Sequence, residues 1–297
     1  MTIMEDTEAI KHIEYLKDPI KFIKENRVGV NSKTWKCENL EMMDFEETFL
    51  NHIHNNNLSI TKKSRQMHMS TLTAAYCAWT LLFSENKTIA IICPKKEEAN
   101  RFIENVRIIL QNYSNKHFHW EDDFIKNNVT EIRLSNGSFI KAFAANTNAL
   151  RGYRFDMVIM DEIAFIKKAQ DIWETLTPHI GIDSKIIFYS STNGINFFYN
   201  VWSQAIREEI NFAPIDFDYT DNPDYNNKEW YETQCKILGN QDSIDVELHG
   251  LFIQNKTPES YRLNLRIKGE LYEKMINKTG SSNVSDYIRK LIEKDLK

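Results

Sequence analysis

The stretch KKSRQMHMST, Lys62–Thr71, decides how the rest of the chain is read. The strand-forming LSI (Leu58–Ile60) precedes it, and the apolar, helix-forming LTAAYCAWTLLF (Leu72–Phe83) follows it. A strand that turns through a short polar loop into a helix leaves backbone N–H groups free at the helix start. Those groups and the helix dipole attract phosphate. The usual loop of this kind reads G-x-x-x-x-G-K-[ST], with glycines where the backbone closes on the phosphates and a lysine beside the final hydroxyl. Here Ser70 keeps the hydroxyl, but His68-Met69 stand where Gly-Lys would. The residues alone leave three readings open: a site with rearranged parts, a dead site, or a plain strand–helix turn.

Composition narrows the class but not the choice. The 297 residues suggest two domains, and 42% hydrophobic with 27% charged content suits a globular chain with a real core. No apolar run approaches the ~18 residues of a membrane span, and the mixed-charge MTIMEDTEAIKHIEYLKDP lacks a signal-peptide core. The four cysteines, Cys37, Cys77, Cys93 and Cys235, show no C-x-x-C spacing and read as buried free thiols in a reducing compartment. Net charge is −5, yet Lys256–Lys297 carries ten Lys/Arg against six Asp/Glu. A basic tail on an acidic body points any nucleic-acid contact toward the tail, although a solvated charged helix gives a similar count.

The middle of the chain alternates buried-strand runs with helical patterns. TIAIICP (Thr88–Pro94), MVIMDE (Met157–Glu162) and KIIFYSST (Lys185–Thr192) are continuous apolar runs that suit strands covered on both faces. EIRLSNGSFIKAFA reads as a hairpin turning at Asn136-Gly137. EEANRFIENVRIILQNY (Glu97–Tyr113) and AQDIWETLTPHI read as helices. Strands alternating with helices predict an α/β fold with a mainly parallel sheet, to which the hairpin adds an antiparallel element.

Two of these runs end in chemistry. MVIMDEIAFI delivers Asp161-Glu162 at the end of a buried strand, the sheet edge where α/β ligands sit. In phosphate-handling ATPases the first such acid holds Mg²⁺ and the second polarises the attacking water. KIIFYSSTNG ends in hydroxyls and Asn193-Gly194, a cluster able to sense a γ-phosphate and equally an ordinary strand end.

The order of the pieces carries more than any one of them. SRQ at Ser64–Gln66, the hydroxyls Ser70-Thr71, ALRG at Ala149–Gly152, MDEIAFI at Met160–Ile166 and SSTNGINFFYNVW at Ser190–Trp202 follow one another as in large terminase subunits. DNPDY, EWYETQCKILG and ELHGLF suit that family's lid. Residues from about 15 to about 253 therefore resemble the ATPase domain of the tailed-phage DNA-packaging motor. The resemblance implies a P-loop NTPase-type sheet with flanking helices over residues 1–253, with a lid over about 197–253.

It also implies a nucleotide site. Large terminases often place the phosphate lysine early in the loop, which makes Lys63 the lysine and Met69 a tolerated apolar residue, so Met69→Lys is expected to be harmless or better. Ser64, Arg65, Gln66, Ser70, Thr71, Thr192 and Asn193 would contact nucleotide. Ser70 and Asp161 would hold Mg²⁺, and Glu162 would be the catalytic base. Arg65 would reach the γ-phosphate or couple subunits, and Arg151 would stabilise the transition state of a neighbouring subunit; a surface or structural ion pair is the other reading of each. His68 stands where the family has glycine, and the family's adenine-contacting glutamine is replaced by the acidic MDFEETFL (Met43–Leu50).

Where a large terminase continues into a nuclease, this sequence has a polar stretch, residues 254–260, and then YRLNLRIKGELYEKMINKTGSSNVSDYIRKLIEKDL. Tyr261, Leu263, Leu265 and Ile267 alternate with Arg262, Asn264 and Arg266, the period of a half-buried strand. Two short helical patterns follow. Residues 261–297 resemble a ribbon-helix-helix DNA-binding domain of the Arc and MetJ type, in which two chains pair their strands into a ribbon for the major groove. That resemblance implies base contacts from Arg262, Asn264 and Arg266 and a phosphate contact near Asn283 and Ser285. A docking hairpin or oligomerisation tail is the alternative.

Together the readings give a phage or mobile-element DNA-binding protein that packages or translocates duplex DNA with ATP and Mg²⁺, without its own nuclease. Its partners would be double-stranded DNA, a second copy through the C-terminal ribbon, and portal, small terminase subunit or a separate nuclease. No membrane is involved, and its place is the cytoplasm of the bacterial host. The alternative is a non-hydrolysing DNA-binding adaptor or regulator.

Overall fold

The computed structural model describes residues 2–26, 28–30, 37–39, 41–117, 124–143, 145, 150 and 152–253. The linker 254–260, the ribbon-helix-helix segment 261–297 and Arg151 lie outside the described residues.

An eight-stranded sheet organises the chain. Its strands are β3 (Leu58–Lys63), β4 (Thr88–Ile92), β5 (Phe124–Asn128), β6 (Glu131–Leu134), β7 (Phe139–Phe143), β8 (Phe155–Asp161), β9 (Ile180–Ser190) and β10 (Ala213–Phe217). A separate small ribbon pairs β1 (Val28–Val30) with β2 (Cys37–Asn39). The order across the large sheet is β10-β3-β9-β8-β4-β7-β6-β5. The pairs from β10 to β7 are parallel, and β7-β6-β5 are antiparallel. The expected α/β architecture and its antiparallel hairpin are both present, with Gly137 at φ 81° in the β6–β7 turn.

Both faces of the sheet are covered, which is why β4 and β8 read as unbroken apolar runs. On one face lie α1 (Thr2–Lys17), α2 (Pro19–Asn26), α3 (Asp44–Asn55), α4 (Met69–Phe83) and α5 (Lys96–His117), enclosing Tyr15, Phe22, Phe49, Leu72, Phe102 and Tyr189. Within α5, Ala99, Phe102, Ile103, Val106, Ile109, Leu110 and Tyr113 recur at helical spacing and are all buried. By contrast α4 is apolar nearly all round, because α2, α3 and α5 pack on it besides the sheet. On the other face α6 (Ala169–Leu176) and α7 (Phe197–Ile206) close over Phe155, Ile172, Phe188, Phe198 and Phe212. Each such aromatic or branched side chain, fully buried, contributes about 1.5–3 kcal/mol.

The end of α3 is fixed from across the fold. Lys185 Nζ donates to the carbonyls of Ile53, His54 and Asn56 at 2.6, 3.0 and 2.9 Å, satisfying acceptors that a helix C-terminus leaves open. Beyond β10 comes a small helical segment, α8 (Lys228–Leu238) and α9 (Gln241–Glu247), capped by Asn227 and Asn240. It is held by stacked rings, Tyr225 on Trp230 at 4.6 Å and Tyr219 on Tyr231 at 5.2 Å. The expected lid region, residues 197–253, thus divides: α7 belongs to the sheet's core and the aromatic segment follows β10. Cys77 and Cys93 are buried free thiols and Cys235 is a half-buried one.

Candidate nucleotide site

Strand order brings the candidate residues to one edge. Parallel strands deliver Lys63, Ser190 and Asp161 at the ends of β3, β9 and β8, with Lys62 opposite Ser190 and Tyr189 opposite Asp161. Strand β9 therefore stands between the phosphate-loop strand and the acidic strand. A cleft of about 1010 Å³ opens here, lined by Lys63, Arg65, Gln66, Glu162, Phe165 and Ser191 among others.

Residues 64–68 form the turn into α4, and two of them adopt left-handed backbone: Gln66 at φ 61° and His68 at φ 55°, ψ 11°. His68 occupies the expected glycine position and accepts the glycine's conformation at steric cost. Its Nδ1–H donates to Glu46 Oε1 at 3.0 Å, and its carbonyl accepts the first amides of α4, from Thr71 and Leu72, at 3.0 and 3.1 Å. Met67 and Met69 point into the core, 0% and 1% exposed. The expected tolerance of Met69→Lys is therefore corrected: a lysine at 69 would start in the core, not beside the phosphates.

Lys63 is 5% exposed, and its Nζ lies 2.6 Å from Glu162 Oε1. Glu162 Oε2 accepts from Ser190 Oγ at 3.1 Å, Ser191 N at 3.1 Å and Ser191 Oγ at 3.3 Å. Burial pushes the Glu162 carboxyl up, but the Lys63 ammonium and the Ser191 and Ser190 bonds outweigh it and hold the group below the usual carboxylate value. Asp161 behaves oppositely. Burial, and then the charge of Glu162, raise it to about 7 against the Ser70 hydroxyl, the charge of Lys63 and the Tyr189 hydroxyl. Its Oδ1 is buried without a hydrogen-bond partner. A buried acceptor left open beside a serine hydroxyl suits a cation. Among the described residues no cluster of three or more His, Cys, Asp or Glu offers a metal site. A divalent ion would here rest on Asp161, Ser70 and the phosphates, the habit of Mg²⁺ at phosphate sites.

Arg65 is exposed and pairs with Glu247 at the end of α9, while its backbone N–H donates to the Glu247 carbonyl at 3.3 Å. Ser64 is buried and its N–H donates to Phe217 O at 2.9 Å. Gln66 lines the cleft, and Thr71 sits half-buried in the first turn of α4. Thr192 and Asn193 are engaged by protein: Thr192 Oγ1 donates to Leu251 O at 2.9 Å and Asn193 Nδ2 to Ala164 O at 3.1 Å. The hydroxyls that meet Glu162 are Ser190 and Ser191, the first two of the SSTN cluster. Strand alternation could not have assigned both, since β9 ends at Ser190 and adjacent residues of an extended strand face opposite ways.

Comparisons with known proteins agree with this architecture. The structure resembles the Thermus phage P74-26 large terminase ATPase domain with a TM-score of 0.56 at 17% identity, over 69% of this chain and 92% of that one. It resembles the large terminase of the thermophilic bacteriophage D6E in complex with ADP, TM-score 0.55 at 12% identity, over 71% of this chain and 54% of that one. The HK97 bacteriophage large terminase gives 0.55 at 13%, over 77% and 50%. The chain spans about half the length of the last two, and at such identities the likeness shows the fold. The family model of the terminase large subunit, T4likevirus-type, N-terminal, matches residues 60–260, more than half of the chain. The chain belongs to that large-terminase family.

Proposed function

We propose that this chain is the ATPase component of a phage-type DNA-packaging motor, binding Mg-ATP at the sheet edge and using its hydrolysis to move duplex DNA. The observation that carries this reading is the convergence of Lys63, Ser70, Asp161 and Glu162, with an open buried acceptor on Asp161. Lys63 would exchange Glu162 for phosphate oxygens, a step open to a flexible point charge. Ser70 and Asp161 would hold Mg²⁺, which when bound neutralises charge on the phosphates. Glu162, released from Lys63, would accept a proton from the attacking water, with the Ser191 and Ser190 bonds still favouring its ionised form. Ser190 and Ser191 would keep it oriented. Arg65, exchanging Glu247 for phosphate, would reach the γ-phosphate or couple subunits, and Arg151 would stabilise the transition state across a subunit boundary.

The C-terminal segment 261–297 would dimerise as a ribbon-helix-helix module and bind duplex DNA through Arg262, Asn264 and Arg266, with Asn283 and Ser285 at a phosphate. Portal, small terminase subunit and a separate nuclease would be its packaging partners, in the bacterial cytoplasm. No helix among the described residues is long and apolar enough to cross a membrane. A second reading, a DNA-binding adaptor that holds nucleotide without hydrolysing it, draws on His68 in the glycine position and on the ion pair that occupies both Lys63 and Glu162. Hydrolysis of Mg-ATP by the purified chain, with and without duplex DNA, separates the two. Turnover stimulated by DNA supports the motor; binding without turnover supports the adaptor.

A further inference from the structure

We infer that Glu46 is a positioning residue for the phosphate loop, holding His68 in the left-handed conformation that loops of this kind otherwise obtain from glycine. The inference rests on the nucleotide reading of the site. Glu46 lies in the first turn of α3 and is 0% exposed, although it is 22 residues from the loop in sequence. One of its oxygens, Oε2, accepts the Met43 backbone N–H at 3.0 Å, as a glutamate at that position of a helix usually does. The other, Oε1, accepts His68 Nδ1–H at 3.0 Å. A carboxylate only accepts, so this bond fixes the proton on Nδ1 and the ring's orientation.

His68 is the residue whose conformation sets the start of α4. Its carbonyl is the first acceptor of that helix, and the amides able to meet a phosphate follow it directly. A non-glycine residue in left-handed backbone persists only where its surroundings determine it. Here the surroundings are a buried carboxylate whose other oxygen is already tied to the backbone of α3. The acidic MDFEETFL fills the region where the family has its adenine-contacting glutamine. Through Glu46 it also compensates for the missing glycine of the loop. Substituting the glycine back should make the anchor dispensable for nucleotide, while leaving the α3 cap dependent on Glu46.

The test is a double-mutant cycle on the full chain, reading the Kd for Mg-ATP by calorimetry and the melting temperature without nucleotide. Glu46→Ala should weaken Mg-ATP binding at least about tenfold in the parent, as loss of a charge-assisted bond implies. In the His68→Gly background the same change should cost less than about twofold. His68→Phe, which keeps the bulk but loses the N–H, should weaken binding as Glu46→Ala does. Glu46→Gln, which keeps the helix cap, should act in the same direction with a smaller effect, and it replaces Glu46→Ala if that variant fails to fold. Equal losses in both backgrounds, or no loss in the parent, would overturn the anchor. If neither the parent nor His68→Gly binds Mg-ATP, the nucleotide reading fails instead. The anchor is then judged by melting: non-additive shifts for Glu46→Ala and His68→Gly support it, and additive shifts reject it.

Discussion

Replacing Lys63 by methionine tests the site and the fold together. The 2.6 Å contact between Lys63 and Glu162 is worth roughly 6 kcal/mol of gross attraction at an effective dielectric of about 20, most of it offset by desolvation of the two groups. Breaking a fully buried pair costs about 3–5 kcal/mol, because the remaining charge is stranded. Glu162 is not fully stranded: its side chain is 31% exposed and three donors from Ser190 and Ser191 remain. The loss should therefore be smaller, about 2 kcal/mol. Lys63→Met/Glu162→Gln should recover about half of it, since no charge is then left without its counterpart. Urea unfolding at neutral pH without nucleotide reads these differences, and calorimetry with Mg-ATP reads the second consequence. Lys63→Met should abolish nucleotide binding although the cleft keeps its shape, because the phosphates lose their nearest buried cation. A variant that unfolds like the parent, with a double mutant additive to within about 0.5 kcal/mol, would refute the ion pair. A variant that binds Mg-ATP as well as the parent would refute Lys63 as the phosphate lysine.

Glu162→Gln should keep Mg-ATP binding and lose at least about a hundredfold in turnover, since an amide cannot take the water's proton; parallel calorimetry and phosphate-release assays check this. Met69→Lys should destabilise the fold by about 2–4 kcal/mol in urea, because position 69 is core, and a stable variant with improved nucleotide binding would return Met69 to the phosphate site. Burial lowers the Lys185 ammonium from its ordinary 10.5 to about 8. Between those values the unfolded chain binds more protons than the folded one, so this group makes stability rise with pH from about 8 to about 10.5. The stability difference between parent and Lys185→Met should grow in the parent's favour across that window, against the fall with pH that the buried Cys77 and Cys93 thiols give to both, and Lys185→Met should also lose about 2 kcal/mol at neutral pH with the carbonyl contacts at the end of α3. Residues 256–297 alone should sediment as a dimer and bind duplex DNA with affinity that falls with salt, and Arg262→Ala or Arg266→Ala should cost about 1–3 kcal/mol on a preferred site; a monomer, or indifference to both arginines, would make the segment a docking element.

Much of the fold was legible because covered strands and amphipathic helices leave local patterns. Ile89–Ile92 and Met157–Met160 are apolar at every position, and that happens where both faces of a sheet are covered. The Asn136-Gly137 turn announced its hairpin through the residue type most at ease with φ 81°. The two acids were legible for the same reason, because chemistry placed at a strand end must interrupt the apolar run, as Asp161 and Glu162 do; Lys63 ends a strand that already carries Ser59, Thr61 and Lys62, and only the family resemblance singled it out. Thr192 and Asn193 were less so. Four polar residues in a row, SSTN, carry no mark of which will face the acid and which will be taken by Leu251 and Ala164.

By itself, then, the sequence determined which segments become strands and helices, where each acid, lysine and hydroxyl falls along them, and the family to which their order points. The first two depend on residues a few positions apart, and the third on the order of short motifs along the chain, without their contacts. Only the tertiary structure decided that β9 would lie between β3 and β8, that Lys63 would close on Glu162 ninety-nine residues away, and that Glu46 would reach His68. It also decided that Met69 would face the core and Lys185 would end α3. Strand order and long-range pairing depend on how covered faces stack and on which buried polar groups can be satisfied together. Those are properties of the packed chain as a whole, and no local window of residues contains them.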